Sequence, residues 1–158
     1  LAGLGAEALV VLLDQVQDPR NLGAILRSCA AMDVAGVILP GRRSAPLGAA
    51  CARAAAGALD MVPVVEVANL VQAIETLKAA GFWIVGLDAA AEPPLEALSF
   101  RPRRALVLGS EEKGLRRLVA EHCDLMARLT IAPRMESLNV AVAAGIALYL
   151  LARGLPRP

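Results

Sequence analysis

Three short stretches hold most of the side chains able to grip or polarise a substrate: DQVQDPRN at 14–21, GSEEKG at 109–114 and APRMES at 132–137, which runs on into Leu138 and Asn139. After the first, Leu22, Ile25, Leu26, Cys29 and Ala30 recur at helical spacing and form a buried stripe, so Arg27 falls well off it. With Asn21 at the mouth of a site, that guanidinium could hold a phosphate or stabilise a developing oxyanion. The plainer reading makes Asn21 a helix cap and Arg27 a surface arginine. In the second stretch Gly109 supplies a turn that lets a ligand come close to main-chain groups. Glu111 is then either an acceptor inside a site or a favourable charge ahead of a helix beginning near Leu115. The third opens an apolar helix on two polar groups. Ser137 suffices to cap its first turn, whereas a buried Asn139 needs partners of its own and is the more informative residue.

Other chemistries find little support. GxGxxG and GxxxxGK[ST] are both missing, which argues against a nicotinamide oxidoreductase and a P-loop enzyme. His122 stands alone, without a nucleophile signature around it. Cys29, Cys51 and Cys123 are odd in number and lack CxxC spacing, so they read as free buried thiols of a reducing cytoplasm and not as a disulfide or zinc site. No metal site is expected. Four aromatic residues are too few for a base-stacking platform.

The elements that must position these stretches are legible as apolar, β-branched runs at 8–14, 36–40, 61–67, 82–88, 105–109 and 125–132, separated by segments of helical length. Strands without clean alternation, divided by helices, predict an α/β fold with a mostly parallel sheet covered on both faces. Helix starts are expected at Asn21, Ser44, Asn69 and Ser137, and the last helix, apolar all round, is expected to be packed on every side. Each candidate stretch follows a strand. Ligands of open parallel sheets bind at the carboxyl ends of strands, so the three loops are expected to converge on one pocket.

The 158 residues suit a single domain over 1–158, and 57% apolar against 20% charged residues exclude a disordered tail. The longest apolar run, Val140 to Ala152, is shorter than the ~20 residues of a membrane span, so no membrane association is expected. The chain opens on Leu1 without a leader pattern and reads as an excerpt of something longer. A net charge of +1 conceals two basic stretches: 20–53 carries five Arg against one Asp, and 101–117 six Arg or Lys against two Glu. That is the footprint of a polyanion ligand, or of an arginine-rich solvated face.

Together DPRNLGAILRS, LVLGSEEKGL and MESLNVAVAAGIALY, in that order, resemble the three motifs of the SpoU (TrmH-type) RNA ribose 2'-O-methyltransferases of the SPOUT superfamily. The middle of the chain, RRSAPLGAACARAAAGALDMVPV and GFWIVGLD, is more similar to the branch that methylates a guanosine of 23S ribosomal RNA than to the transfer RNA branch. The resemblance implies a C-terminal deep trefoil knot and a bent S-adenosylmethionine held mainly by main-chain groups at Gly109, Leu129, Ile131 and Leu138. It implies Asn21, Arg27, Glu111, Ser137 and Asn139 as the catalytic set, RNA as partner, and a cytoplasmic homodimer with sites near the subunit interface. An N-terminal RNA-binding domain, frequent among relatives, is expected to be absent from residues 1–158. A fold-sharing RNA-binding module without catalysis is the rival reading.

Overall fold

Six apolar runs pair into one sheet in the order β3-β2-β1-β5-β4-β6, every neighbouring pair parallel. The computed structural model describes residues 4–153. Its strands are β1 (Ala8–Leu13), β2 (Gly36–Pro40), β3 (Val64–Val67), β4 (Trp83–Leu87), β5 (Arg103–Leu108) and β6 (Leu125–Ala127). Its helices are α1 (Pro19–Ala31), α2 (Ala49–Ala55), α3 (Leu70–Ala79), α4 (Arg117–Glu121) and α5 (Val140–Ala152). All six expected strands form, β3 and β6 shorter than their apolar runs.

The period-two alternation of a strand divides the core. Leu9, Val11 and Leu13 of β1, with Leu106 and Leu108 of β5, meet α1, α2 and α5 on one face. Val10, Leu12, Ala105 and Val107 meet α3 and α4 on the other. Every residue of β1 is therefore buried, as expected for a central strand covered on both sides.

Three of the expected helix starts move. Asp18, not Asn21, caps α1: its carboxylate accepts from Arg20 N at 2.7 Å, and Pro19 follows with its φ preset for a first helical turn. Gly48, not Ser44, precedes α2, because Ala45 N is held by Val16 O at 2.8 Å and the residue before Pro46 avoids helical geometry. Asn139, not Ser137, caps α5, while Asn69 caps α3 as expected. Nor is α5 packed on every side. Val142, Ile146 and Tyr149 keep 52%, 43% and 53% of their surface exposed, a stripe at helical spacing that a uniformly apolar sequence could not single out.

Candidate active site

The carboxyl ends of β1 and β5, adjacent at the centre of the sheet, emit the first two candidate stretches side by side. The loop after β5 closes on itself: Ser110 N donates to Gly114 O and Gly114 N to Ser110 O, both at 3.0 Å. A Cβ on Gly109 would overlap the Gly114 carbonyl and Leu115 N, and Gly114 itself has φ +63°, so glycine is required at both ends of this loop. A buried carboxylate ties the loop to β1. Asp14, with no exposed surface, accepts from Arg116 N at 2.8 Å through one oxygen and from Arg116 Nε at 2.7 Å through the other.

Above this clamp, three side chains from the three stretches form one hydrogen-bonded series. Asn139 Oδ1 accepts from Ala141 N and Val142 N at 2.9 and 3.3 Å, its Nδ2 donates to Asn21 Oδ1 at 3.1 Å, and Asn21 Nδ2 donates to Glu111 Oε1 at 2.8 Å. The direction is forced at both ends, since helix N–H groups only donate and an ionised carboxylate only accepts. Asn139 is exposed, not buried, yet its amide is committed to both the helix and its neighbour.

A cavity of about 400 Å³ adjoins the series, lined by Gly109, Leu129, Ile131 and Leu138 together with Glu111 and Ser137. A neighbouring one of about 380 Å³ has Asn21 and Glu111 in its wall, and the two share Ser110, Glu111, Glu112 and Lys113. Four of the five proposed catalytic residues and all four proposed cofactor residues thus gather in one place. Arg27 does not join them. It lies six residues beyond Asn21, about 120° round the helix at ~100° per residue, exposed and without an ion-pair partner among the described residues.

The expectation left out two features. The Asp14–Arg116 clamp was hidden because a strand-end aspartate and an arginine 102 positions later give no local sign of pairing. Asp88 also lines the first cavity, and its place just past β4 was a usable signal. Among the described residues no three His, Cys, Asp or Glu side chains are grouped to hold a metal ion, and no helix is long and apolar enough to cross a membrane. His122 Nδ1 lies 2.7 Å from Leu118 O, within its own helix end.

The model of the SpoU rRNA Methylase family matches residues 8–149, spanning all three stretches and the whole sheet. The chain belongs to that family. Among SpoU relatives, the 23S rRNA (guanosine-2'-O-)-methyltransferase RlmB of Xylella fastidiosa (strain 9a5c) is 48% identical over 145 residues, 92% of this chain and 58% of that protein. Two solved SpoU-like structures share the fold. The AdoMet-bound rRNA methyltransferase from Sinorhizobium meliloti superposes with a TM-score of 0.87 at 32% identity, over 95% of this chain and 57% of the other. The SpoU methyltransferase AviRb from Streptomyces viridochromogenes, in complex with AdoMet, gives 0.87 at 29% identity over 96% and 62%. The chain spans less than two-thirds of the length of each of these three proteins.

Proposed function

We propose that this chain transfers a methyl group from S-adenosylmethionine to a ribose 2'-hydroxyl of RNA, the substrate being a guanosine of 23S ribosomal RNA. The observation that carries this reading is the Asn139–Asn21–Glu111 series running beside a cavity lined by Gly109, Leu129, Ile131 and Leu138. The cavity suits the donor. Its volume falls in the range of about 300–1,000 Å³ usual for ligand pockets. Leu129, Ile131 and Leu138 offer apolar surface to an adenine, while the Asp88, Glu111 and Glu136 carboxylates complement a ligand bearing sulfonium and ammonium charge. When bound, S-adenosylmethionine supplies a methyl carbon already activated by its positive sulfur.

The protein's part is alignment and charge. Asn139 fixes Asn21, and Asn21 fixes one oxygen of Glu111, leaving Glu111 Oε2 to accept a hydrogen bond from the incoming hydroxyl. Ser137, exposed at the cavity rim, orients the same group. A guanidinium is almost never neutral, so Arg27 acts as a phosphate-positioning group and oxyanion stabiliser and not as a base. Because Arg27 stands outside its own chain's cavity, we assign it to the site of a second copy in a homodimer. The exposed stripe Val142, Ile146 and Tyr149 supports that assembly: α1 meets α5 where Ser28 faces Gly145, so Arg27 and the stripe flank one contact. A return of the chain from edge strand β6 to α5, beside α1 and β5, is the stretch in which the family's trefoil knot would be tied. The work on ribosomal RNA is assigned to the cytoplasm.

The test is transfer of labelled methyl from S-adenosylmethionine to 23S rRNA and to tRNA transcripts, with mapping of ribose methylation and calorimetric titration of the cofactor. Methylation of a 23S rRNA guanosine is expected. Modification of tRNA alone would move the substrate to the other branch, and RNA binding without cofactor uptake would leave a non-catalytic module.

A further inference from the structure

A larger cleft, of about 1220 Å³, opens at the carboxyl ends of β1, β2 and β3, away from the cofactor cavity. Arg42, Arg43, Arg116 and Arg117 line it against a single lining carboxylate, Glu66. Two of these cations are engaged: Arg117 Nη1 meets Glu121 Oε1 at 2.8 Å, and Arg116 is held through Nε and its main-chain N by the buried Asp14. The hold on Arg116 leaves its terminal nitrogens without partners among the described residues while fixing where they stand. Arg42 and Arg43 are exposed and have no hydrogen-bond or ion-pair partner among those residues.

The cleft is connected to the site. Gln15 lines both it and the cavity that holds Asn21 and Glu111, and this second cavity shares Ser110 to Lys113 with the cofactor cavity. Three depressions therefore follow one another along the carboxyl edge of the sheet. No Phe, Tyr or Trp lines the basic one, and His122 is the single aromatic ring in its wall, so charge outweighs stacking there. A polyanion would be gripped there by its charge, without regard to sequence.

We propose that the cleft lined by Arg42, Arg43, Arg116 and Arg117 binds the phosphodiester backbone of the substrate RNA, next to the nucleotide whose hydroxyl meets Glu111 Oε2. This rests on the reading of the chain as an RNA methyltransferase. It gives the strand a path, from the basic cleft past Gln15 to the methyl donor, and it gives the basic loop GRRS a role separate from the three motifs.

The experiment measures binding of a fluorescein-labelled single-stranded RNA of mixed sequence and of a 23S rRNA fragment over a salt series, for the unaltered chain and for Arg42→Ala with Arg43→Ala. Affinity should drop on the order of tenfold at low salt, and the slope of log K against log salt should shrink by about 1.4, or ~0.7 for each cation removed from a single strand. Calorimetric affinity for S-adenosylmethionine should stay the same. Arg42→Lys with Arg43→Lys should restore most of the binding, since a phosphate accepts either cation. Unchanged RNA affinity and slope in the alanine variant would overturn the proposal and leave the cleft to an acidic protein partner. If the unaltered chain takes up no S-adenosylmethionine, the methyltransferase reading fails, while the RNA slopes still judge the cleft.

Discussion

Asn139 Nδ2 lies 3.1 Å from Asn21 Oδ1, joining the cap of the last helix to the first turn of the first helix across 118 positions of sequence. One side chain thus serves the fold through its oxygen and the site through its nitrogen. The two duties can be separated. Asn139→Asp keeps an acceptor for Ala141 N and Val142 N but cannot donate to Asn21, whereas Asn139→Ala loses both. The alanine variant should lose about 1 kcal/mol of stability in denaturant unfolding, the usual cost of a lost cap. The aspartate variant should keep most of that stability yet lose methyl transfer as the alanine variant does. Full turnover in the aspartate variant would show that the link to Asn21 has no part in the chemistry.

Arg27 offers the opposite case, a proposed role in chemistry with no visible role in the fold. Its exposure and lack of partners predict that Arg27→Ala changes stability by less than about 0.5 kcal/mol. Loss of a charged group that stabilises developing negative charge should lower kcat by at least ~100-fold. Cofactor affinity should barely move. Equal loss of cofactor binding and turnover would make Arg27 structural. Mixing Arg27→Ala chains with Asn21→Ala chains tests the placement across a dimer: heterodimers should regain one working site, and absence of any recovery would put both residues in the same subunit's site.

How far the sequence could be read follows from the range of the interactions involved. The six strands were visible because burial on both faces demands continuous apolar runs, and the convergence of three loops followed from parallel topology. Caps were less legible. Asp18, Asn21, Ser137 and Asn139 all have suitable side chains, and only the path of the chain decides which one meets the free N–H groups. The Asn21–Glu111 and Asp14–Arg116 contacts join residues 90 and 102 positions apart, and no local pattern encodes such a pairing. The bare stripe on α5 escaped because apolar composition does not tell a face covered by the same chain from one that the chain leaves exposed.

The loop after β5 should tolerate no side chain at its first residue. In Gly109→Ala the added methyl would meet the main chain of Gly114 and Leu115, which cannot yield as the tip of a flexible side chain can. The loop must open, and it lines both cavities. S-adenosylmethionine affinity should fall by at least ~10-fold, corresponding to about 1.4 kcal/mol. Calorimetry reads this directly, and an unchanged dissociation constant would show that the loop's closed form is unnecessary for cofactor binding. As a comparison, Gly23→Ala crowds Cys51, Ala54 and Ala55 where α1 crosses α2. It should cost about 1–3 kcal/mol of stability by overpacking.

The thiols predict how the fold responds to alkali. Burial pushes Cys29 from an ordinary 9.0 up to about 12, and Cys123 to about 12 through burial first and then the nearby Asp124. Cys51 is raised in the same direction by the same cause. A thiol that ionises later in the folded chain than in the unfolded one leaves the native state holding the extra proton between those two values. Stability therefore falls with rising pH across that interval. The contribution is intact below about pH 9 and is lost as pH climbs toward 12. Unfolding midpoints measured from pH 7 to 11 should be flat with respect to these groups up to pH 9 and then decline. Replacing Cys29 by Ala should flatten part of that decline, at the cost of a small cavity under α1. In parallel, iodoacetamide at pH 8 should leave Cys29 unmodified in the folded chain and label it after denaturation. Rapid native labelling would mean that α1 lifts from the sheet far more often than its packing implies.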